Sequence, residues 1–202
     1  MNDAAPQLDP HKAVLQRYLQ VLRDAVVWKL EGLPERDQRM PMTATGTNLL
    51  GVVKHLAGTE AGYFGYCLGT PFPEPPPWMD EKAEPNSDMW ATADESPDDV
   101  VALYRRVQAH GDAVIAALPL DAPAQVPWWS PPETTLQRLL VHMIAETARH
   151  AGQMDVVRES IDGARGMIPT ALNLPDRDDA WWAAYVDRLR EVAESSGGGP
   201  SA

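Results

Sequence analysis

The 202-residue sequence is poor in cysteine and in basic residues. Its single cysteine, Cys67, cannot form an internal disulfide or a thiolate metal cluster, which favours a reducing compartment. Lysine and arginine number 17 against 29 aspartates and glutamates, so the formal net charge is −12. A surface of that sign repels phosphate backbones and anionic lipids, and it predicts neither a nucleic-acid partner nor a membrane partner.

Long hydrophobic runs are also missing. The longest apolar stretch, 49–68, is interrupted by Lys54, His55 and Glu60, which a membrane-spanning helix rarely tolerates. The first residues carry aspartates and no apolar segment, so they do not resemble a secretory signal. These features predict a cytoplasmic protein.

The composition is that of a globular protein, with 44% hydrophobic and 23% charged residues. A chain of this length corresponds to about one domain. We therefore predict a single helical domain over 1–194, followed by a flexible tail rich in glycine and serine over 195–202.

Helical periodicity dominates the pattern, and strand alternation is nearly absent. Apolar residues at helical spacing predict four long helices and a shorter last one, over 11–31, 47–68, 97–118, 135–161 and 177–194. Thr47 and Ser96 are the predicted caps of the second and third helices. Capping boxes at Ser130 and Thr134 compete for the start of the fourth helix, and Thr134 is favoured because it leaves two prolines in the loop.

A proline-rich connection over 71–97 joins the second and third predicted helices. Prolines are excluded from helix interiors and central strands, so this segment is predicted to be an extended crossover. Four long helices, one long crossover and a short extra C-terminal helix predict an all-α four-helix bundle.

The connections are rich in tryptophan and the second helix is rich in glycine. The four tryptophans are predicted to cover the core, although they could instead line a ligand mouth; they are Trp78, Trp90, Trp128 and Trp129. A face bearing Gly51, Gly58 and Gly62 would allow close approach of another helix, either within the bundle or across a homodimer. The sequence leaves both arrangements open.

The fourth helix carries the candidate functional residues, since common catalytic signatures such as HExxH, GxSxG and CxxC are absent. Glu146 and His150 are four residues apart, so their side chains point the same way, one turn apart. One further ligand from another helix would complete a set of two histidines and one glutamate, which leaves a tetrahedral zinc ion an open position. A hydrogen-bonded pair on a solvated face would give the same spacing.

The second helix offers His55 as the third ligand, but periodicity does not select it. The core side of that helix carries Leu49, Val53 and Leu56 together with Glu60, whereas His55 lies to one side. A helical wheel of this segment therefore does not identify the third ligand.

Two segments resemble the DinB-like metal-dependent superfamily. The last core helix of that superfamily is similar to 140–163, which contains His142-Met-Ile-Ala-Glu146-Thr-Ala-Arg-His150-Ala-Gly-Gln153, and its second-helix motif is similar to 54–60. The nearest branch includes mycothiol S-transferases and the metal domain of mycothiol-dependent maleylpyruvate isomerase. The resemblance spans about 12–192 and implies a DinB-like bundle.

The resemblance also implies a site and an activity. His55, Glu146 and His150 would bind a divalent metal, with zinc favoured. The metal would activate a low-molecular-weight thiol, with mycothiol as co-substrate, for attack on a small electrophilic molecule. A hydrolase using a zinc-bound water, or a non-enzymatic dimeric module that binds a small molecule, are the alternatives.

Several further residues are candidates for supporting roles. Candidate residues near the metal are Gln153, His142 and Glu60, and for Glu60 an ion pair with a facing arginine is the favoured alternative. Relatives in the branch often carry histidine at the position of Gln153. The weaker candidates for substrate binding are Arg149, Arg158 and Trp78.

Overall fold

The computed structural model describes residues 9–80, 82–172 and 174–196. Four long helices form an all-α bundle: α1 (Pro10–Trp28), α3 (Leu49–Glu60), α4 (Pro97–Ala117) and α5 (Leu136–Asp162). A short α2 (Glu35–Arg39) lies between α1 and α3, and α6 (Asp179–Ser196) follows the bundle. The predicted fold class is confirmed.

The four long helices enclose two buried apolar clusters. Helix α5 packs against α1 and α3, and α3 also packs against α4. Fully buried members of the two clusters include Leu50, Leu56, Tyr104 and Met154 in one, and Leu19, Phe64, Ile115, Leu140 and Met143 in the other. Helix α3 is therefore held on two sides by long helices, which fixes the orientation of the residues it carries.

Two helix ends follow the sequence signals as predicted. The Ser96 hydroxyl accepts a hydrogen bond from the backbone N–H of Asp99 and so caps α4. Gly163 ends α5 with a φ of 80°, in the left-handed region that favours glycine.

The predicted starts of α3 and α5 were each wrong by one residue. Asn48, and not Thr47, caps α3, because its side chain accepts the Gly51 N–H at 2.7 Å. Thr135, and not Thr134, caps α5. Thr134 belongs instead to a short antiparallel pair formed by β1 (Pro123–Gln125) and β2 (Glu133–Thr135), a pairing that periodicity alone does not reveal.

The helix predicted over 47–68 changes its winding before it ends. After α3 the chain forms a π-helical turn over Ala61–Gly65 and a 3₁₀ turn over Tyr66–Leu68, and Gly69 stops it with a φ of 73°. Single π turns within helices often occur at functional sites. Here the turn follows directly on the segment that carries His55.

The outer ends of the bundle differ slightly from the predicted bounds. Helix α1 ends at Trp28, and not at residue 31. Ser195 and Ser196 of the predicted tail belong to α6, and residues 197–202 lie outside the described residues. Among the residues that the structure describes, no helix has both the length and the apolar character needed to cross a membrane.

The proline-rich crossover is fastened to the bundle by polar side chains. The Arg39 guanidinium donates to the backbone carbonyls of Ala91, Thr92 and Glu95. The buried Lys54 ammonium donates to the Trp90 carbonyl at 2.9 Å and pairs with the Glu95 carboxylate at 2.8 Å. These contacts hold the crossover segment around residues 88–95 in a fixed position beside α3.

The three glycines of α3 and the π turn, Gly51, Gly58 and Gly62, face this crossover. A Cβ at Gly51 would lie 1.8 Å from the Met89 carbonyl oxygen, so only glycine permits this approach. A Cβ at Gly58 would lie 3.0 Å from Trp78 Nε1, and one at Gly62 would lie 3.8 Å from the Met79 methyl carbon. The close approach that the glycines predicted is thus made within the chain.

Candidate metal centre

A cavity of about 410 Å³ opens where α3, the π turn, α5, the crossover and the loop between β1 and β2 meet. Its wall combines polar and aromatic side chains, namely His55, Thr59, Tyr63, Trp78, Asp88, Trp128, His142 and Glu146, with Gly58, Gly62 and the apolar Met79. Volumes of this size are typical of small-molecule sites.

Three side chains predicted as ligands come together at this cavity. His55 comes from α3, while Glu146 and His150 come from successive turns of α5. One ligand atom from each lies within 4.8 Å of the other two. Glu146 Oε1 is 3.1 Å from His150 Nε2 and 3.7 Å from His55 Nε2, so both imidazoles direct Nε2 towards one carboxylate.

His55 is oriented by a residue of the crossover. Its Nδ1 lies 2.6 Å from Asp88 Oδ2. An ionised carboxylate can only accept, so Nδ1 carries the hydrogen and donates it. The remaining lone pair of a neutral ring is then on Nε2, the atom that faces Glu146. A histidine whose far nitrogen donates to a carboxylate is a common arrangement around protein-bound metals.

His150 is oriented in the same way by its own helix. Its Nδ1 donates to Gln153 Oε1 at 2.9 Å, one turn further along α5. Burial lowers the pKa of His150, and the neighbouring His55 lowers it further, against the opposing effect of Glu146. A neutral His150 with its hydrogen on Nδ1 presents the Nε2 lone pair to the Glu146 carboxylate, and a neutral imidazole is the form that binds metals.

The donor set fits a divalent metal ion. Two imidazole nitrogens and one carboxylate oxygen all present lone pairs to a common point, and acceptors that approach one another repel unless a cation lies between them. Both imidazoles are held by oxygen acceptors on the opposite side. Nitrogen and carboxylate ligands of this kind suit Zn²⁺, and three protein ligands leave a fourth position open.

Two other predicted residues also line the cavity. The His142 ring packs edge-on against Tyr63, with centroids 4.7 Å apart, and against Trp129 at 4.9 Å. Burial lowers its pKa. Trp78 forms part of the wall, as does Trp128, so these two tryptophans line a cavity, whereas Trp129 packs against the apolar core.

The remaining candidates lie elsewhere. Glu60 is fully buried and forms the predicted ion pair with an arginine, since both of its oxygens accept from Arg23. Arg158 pairs with Asp162 and also donates to two carbonyls just after α1, those of Lys29 and Glu31. Arg149 is exposed on α5. The structure therefore does not place these residues in the cavity wall.

Sequence reasoning missed several residues of this wall. Asp88 lies in the crossover, where no periodicity relates it to His55. Thr59 lies one turn after His55 on α3, and its hydroxyl donates to the His55 carbonyl at 2.8 Å. Tyr63 is on the π turn, where its hydroxyl accepts from Trp128 Nε1 at 3.1 Å. For these wall residues the sequence offered one signal, an acidic residue (Asp88) that closely follows a cluster of prolines.

Replacing Asp88 with alanine is expected to weaken metal binding without removing it. Loss of a partner that orients a ligating histidine costs roughly 10- to 100-fold in metal affinity. The measurement is a competition titration against a chromophoric chelator. Glu84→Ala, at an exposed carboxylate of the same crossover, is the matched control and should keep the wild-type affinity. Equal affinities for both variants would show that Asp88 does not orient a ligand.

A family model described as Mycothiol-S-transferase matches residues 14–163. The matched segment extends from α1 to the end of α5 and includes the three converging side chains. Among curated proteins, none matches the chain.

Proposed function

Because the chain belongs to the mycothiol-S-transferase family, we propose that it is a zinc-dependent enzyme that joins mycothiol, a low-molecular-weight thiol, through its sulfur to an electrophilic small molecule. His55, Glu146 and His150 are the proposed metal ligands. Asp88 and Gln153 are the proposed residues that orient the two histidines.

One observation supports the metal site above all others. The Nδ1 atoms of His55 and His150 lie 2.6 and 2.9 Å from oxygen atoms of Asp88 and Gln153, and Nε2 of both rings faces the Glu146 carboxylate; with both rings neutral and the hydrogens on Nδ1, both Nε2 lone pairs point at that carboxylate. A pair of histidines that only stabilised the fold would more simply donate to that carboxylate. The arrangement instead leaves three acceptor atoms around one point, which a divalent cation satisfies.

A zinc ion bound there would lower the pKa of a thiol at the open position, so that the thiolate predominates near pH 7. His142, which lines the cavity, is the proposed proton acceptor. It takes up the thiol proton, since burial lowers its pKa and keeps its imidazole neutral. The sulfur forms a bond to the electrophilic carbon, the bond from that carbon to its leaving group breaks, and the leaving group departs with the electron pair. His142 returns the proton to water.

The reacting thiol has to come from outside the protein. Cys67 is buried, and burial raises the pKa of its thiol to about 11. It is therefore protonated at neutral pH, and a protonated thiol is a poor nucleophile. Cys67 belongs to the apolar cluster that also contains Phe64 and Leu140, so its role is packing.

The activity is tested with the zinc-loaded protein, mycothiol and N-butyl-2-chloroacetamide. We expect the thioether conjugate, measured by liquid chromatography and mass spectrometry, to form faster than in a protein-free control, with one chloride released per conjugate. A fully metal-loaded protein that gives no acceleration with this or other electrophiles would overturn the proposal. Hydrolysis of a test ester in the absence of thiol would indicate the hydrolase alternative.

A further inference from the structure

A second cavity, of about 570 Å³, lies next to the candidate metal centre. The residues that line it come from the π turn and the segment after it, the start of the crossover and the loop before Trp128. Among the described residues of its wall none carries a charge, and the polar side-chain groups are the Tyr66 hydroxyl and the Trp128 indole N–H, which donates to Tyr63. Prolines and the Phe72 ring make up most of the rest.

The two cavities are adjacent. Both are lined by Gly62, Met79 and Trp128, so these three residues stand at the junction. The ionisable side chains His55, Asp88, His142 and Glu146 all line the first cavity. A molecule that spans the junction would therefore have a reactive, polar end near His55 and Glu146 and an apolar end near Phe72 and Tyr66.

We propose that the second cavity binds the apolar substituent of the electrophile, so that the preferred substrates carry an alkyl or aryl group beyond the reacting carbon. The proposal rests on the proposed function and adds the class of electrophile. Thiolate attack requires the electrophilic carbon to lie beside the converging ligands, and the second cavity adjoins the cavity that His55 and Glu146 line. An uncharged, mostly apolar wall suits an alkyl or aryl group. A polar or charged substituent buried against it would lose its contacts with water and find few partners in exchange.

Gly62 lies at the junction, so a substitution there can test whether the two cavities act together. A Cβ at this position would meet only the Met79 methyl carbon, at 3.8 Å, which is an ordinary contact. Gly62→Val is therefore expected to fold while its side chain narrows the passage between the cavities. Tyr66→Asp places a charge in the apolar wall at a residue that is 59% exposed, so folding should not depend on it. Tyr18→Asp, at an exposed tyrosine of α1, is the matched control.

The test uses N-alkyl-2-chloroacetamides with methyl, butyl and hexyl groups, which share one reacting carbon and one leaving group. Burial of each added methylene is expected to raise kcat/KM by roughly two- to fourfold in the wild type and in Tyr18→Asp. The increase should be absent in Gly62→Val and in Tyr66→Asp. Metal content and thermal midpoint, measured on each variant, confirm that the site and the fold are intact.

A binding measurement separates this proposal from the proposed function. N-Hexylacetamide lacks the chlorine and cannot react, so its binding to metal-free protein, measured by calorimetry, depends on the cavity alone. Binding by the wild type and its loss in Gly62→Val would support the cavity assignment, even if no chloroacetamide reacted and the transferase proposal failed. Acceleration that is equal for methyl and hexyl substrates, with no acetamide binding, would overturn the inference and leave the transferase proposal standing.

Discussion

Replacing His150 with alanine is expected to remove the bound metal and, with it, thiol transfer. The wild type should hold about one zinc ion per chain when three protein ligands and an open position are present. The variant retains one imidazole and one carboxylate, and their ligand atoms, His55 Nε2 and Glu146 Oε1, are 3.7 Å apart. Its loss of affinity should exceed the roughly 10- to 100-fold expected when only an orienting partner is removed.

Metal content is measured by plasma mass spectrometry on protein purified without chelators and on protein reconstituted with zinc. His142→Ala is the matched control for metal content, since it removes a histidine of the same helix that lines the cavity but lies outside the converging group. It should retain the wild-type amount of zinc. Equal zinc in wild type and His150→Ala would mean that the metal binds elsewhere, and the proposed ligand set would be wrong.

The bundle itself was predictable because helical patterns are local. Caps, prolines and apolar spacing act within a few residues, so the third and fourth long helices were placed to within a residue or so at their starts. The error at Thr134 has a non-local cause. Its backbone pairs with β1, ten residues earlier, and such a short pairing leaves little trace in periodicity.

The candidate site was partly predictable, for the same reason. Glu146 and His150 share one helix, so their spacing alone places them on one face. His55 required the family resemblance, because the wheel favoured Glu60 as the inward-facing residue. The wheel was informative in one respect, since Glu60 is fully buried and His55 is only partly so. A ligand that faces a cavity at the edge of the core need not lie on the core face.

The residues around the ligands could not be predicted from pattern. Asp88 is 33 residues from His55 along the chain, and its position depends on the crossover contacts of Arg39, Lys54 and Asn48. Those contacts need Gly51 for the close approach of the Met89 carbonyl. Each link is a tertiary contact to a crossover whose regular structure near Asp88 is a single 3₁₀ turn, Ser87–Met89, too short to leave a periodic pattern in the sequence.

Glu60, a predicted candidate near the metal that lies outside the cavity wall, is expected to be essential for stability. Its carboxylate accepts two hydrogen bonds from Arg23, at 3.0 and 2.6 Å, and a third from the Tyr104 hydroxyl at 3.0 Å. The Arg23 and Glu60 side chains are 1% and 0% exposed. Burial by itself would lower the pKa of the Arg23 guanidinium, but Glu60 and Asp112 outweigh it and the net shift is upward. Arg23 thus stays charged in the core and depends on its partners.

Glu60→Gln keeps the shape of the side chain and removes its charge, which leaves a buried guanidinium without its main counter-ion. Removing one partner of a buried ion pair costs about 3–5 kcal/mol, and we expect the free energy of unfolding, from urea titrations, to fall by that amount. Asp112→Asn is the matched control, because Asp112 binds the same guanidinium at 2.8 Å but is 43% exposed. Its cost should be about 1 kcal/mol or less.

The location of this pair connects stability to the site. Glu60 is the last residue of α3, directly before the π turn that carries Gly62 and Tyr63, so the buried pair anchors the turn that forms the cavity wall. If Glu60 supplied a proton acceptor for the reaction, Glu60→Gln would lose activity while unfolding at the wild-type urea concentration. If it anchors the turn, the variant unfolds at lower urea concentration, and the protein that remains folded still binds zinc through His55, Glu146 and His150.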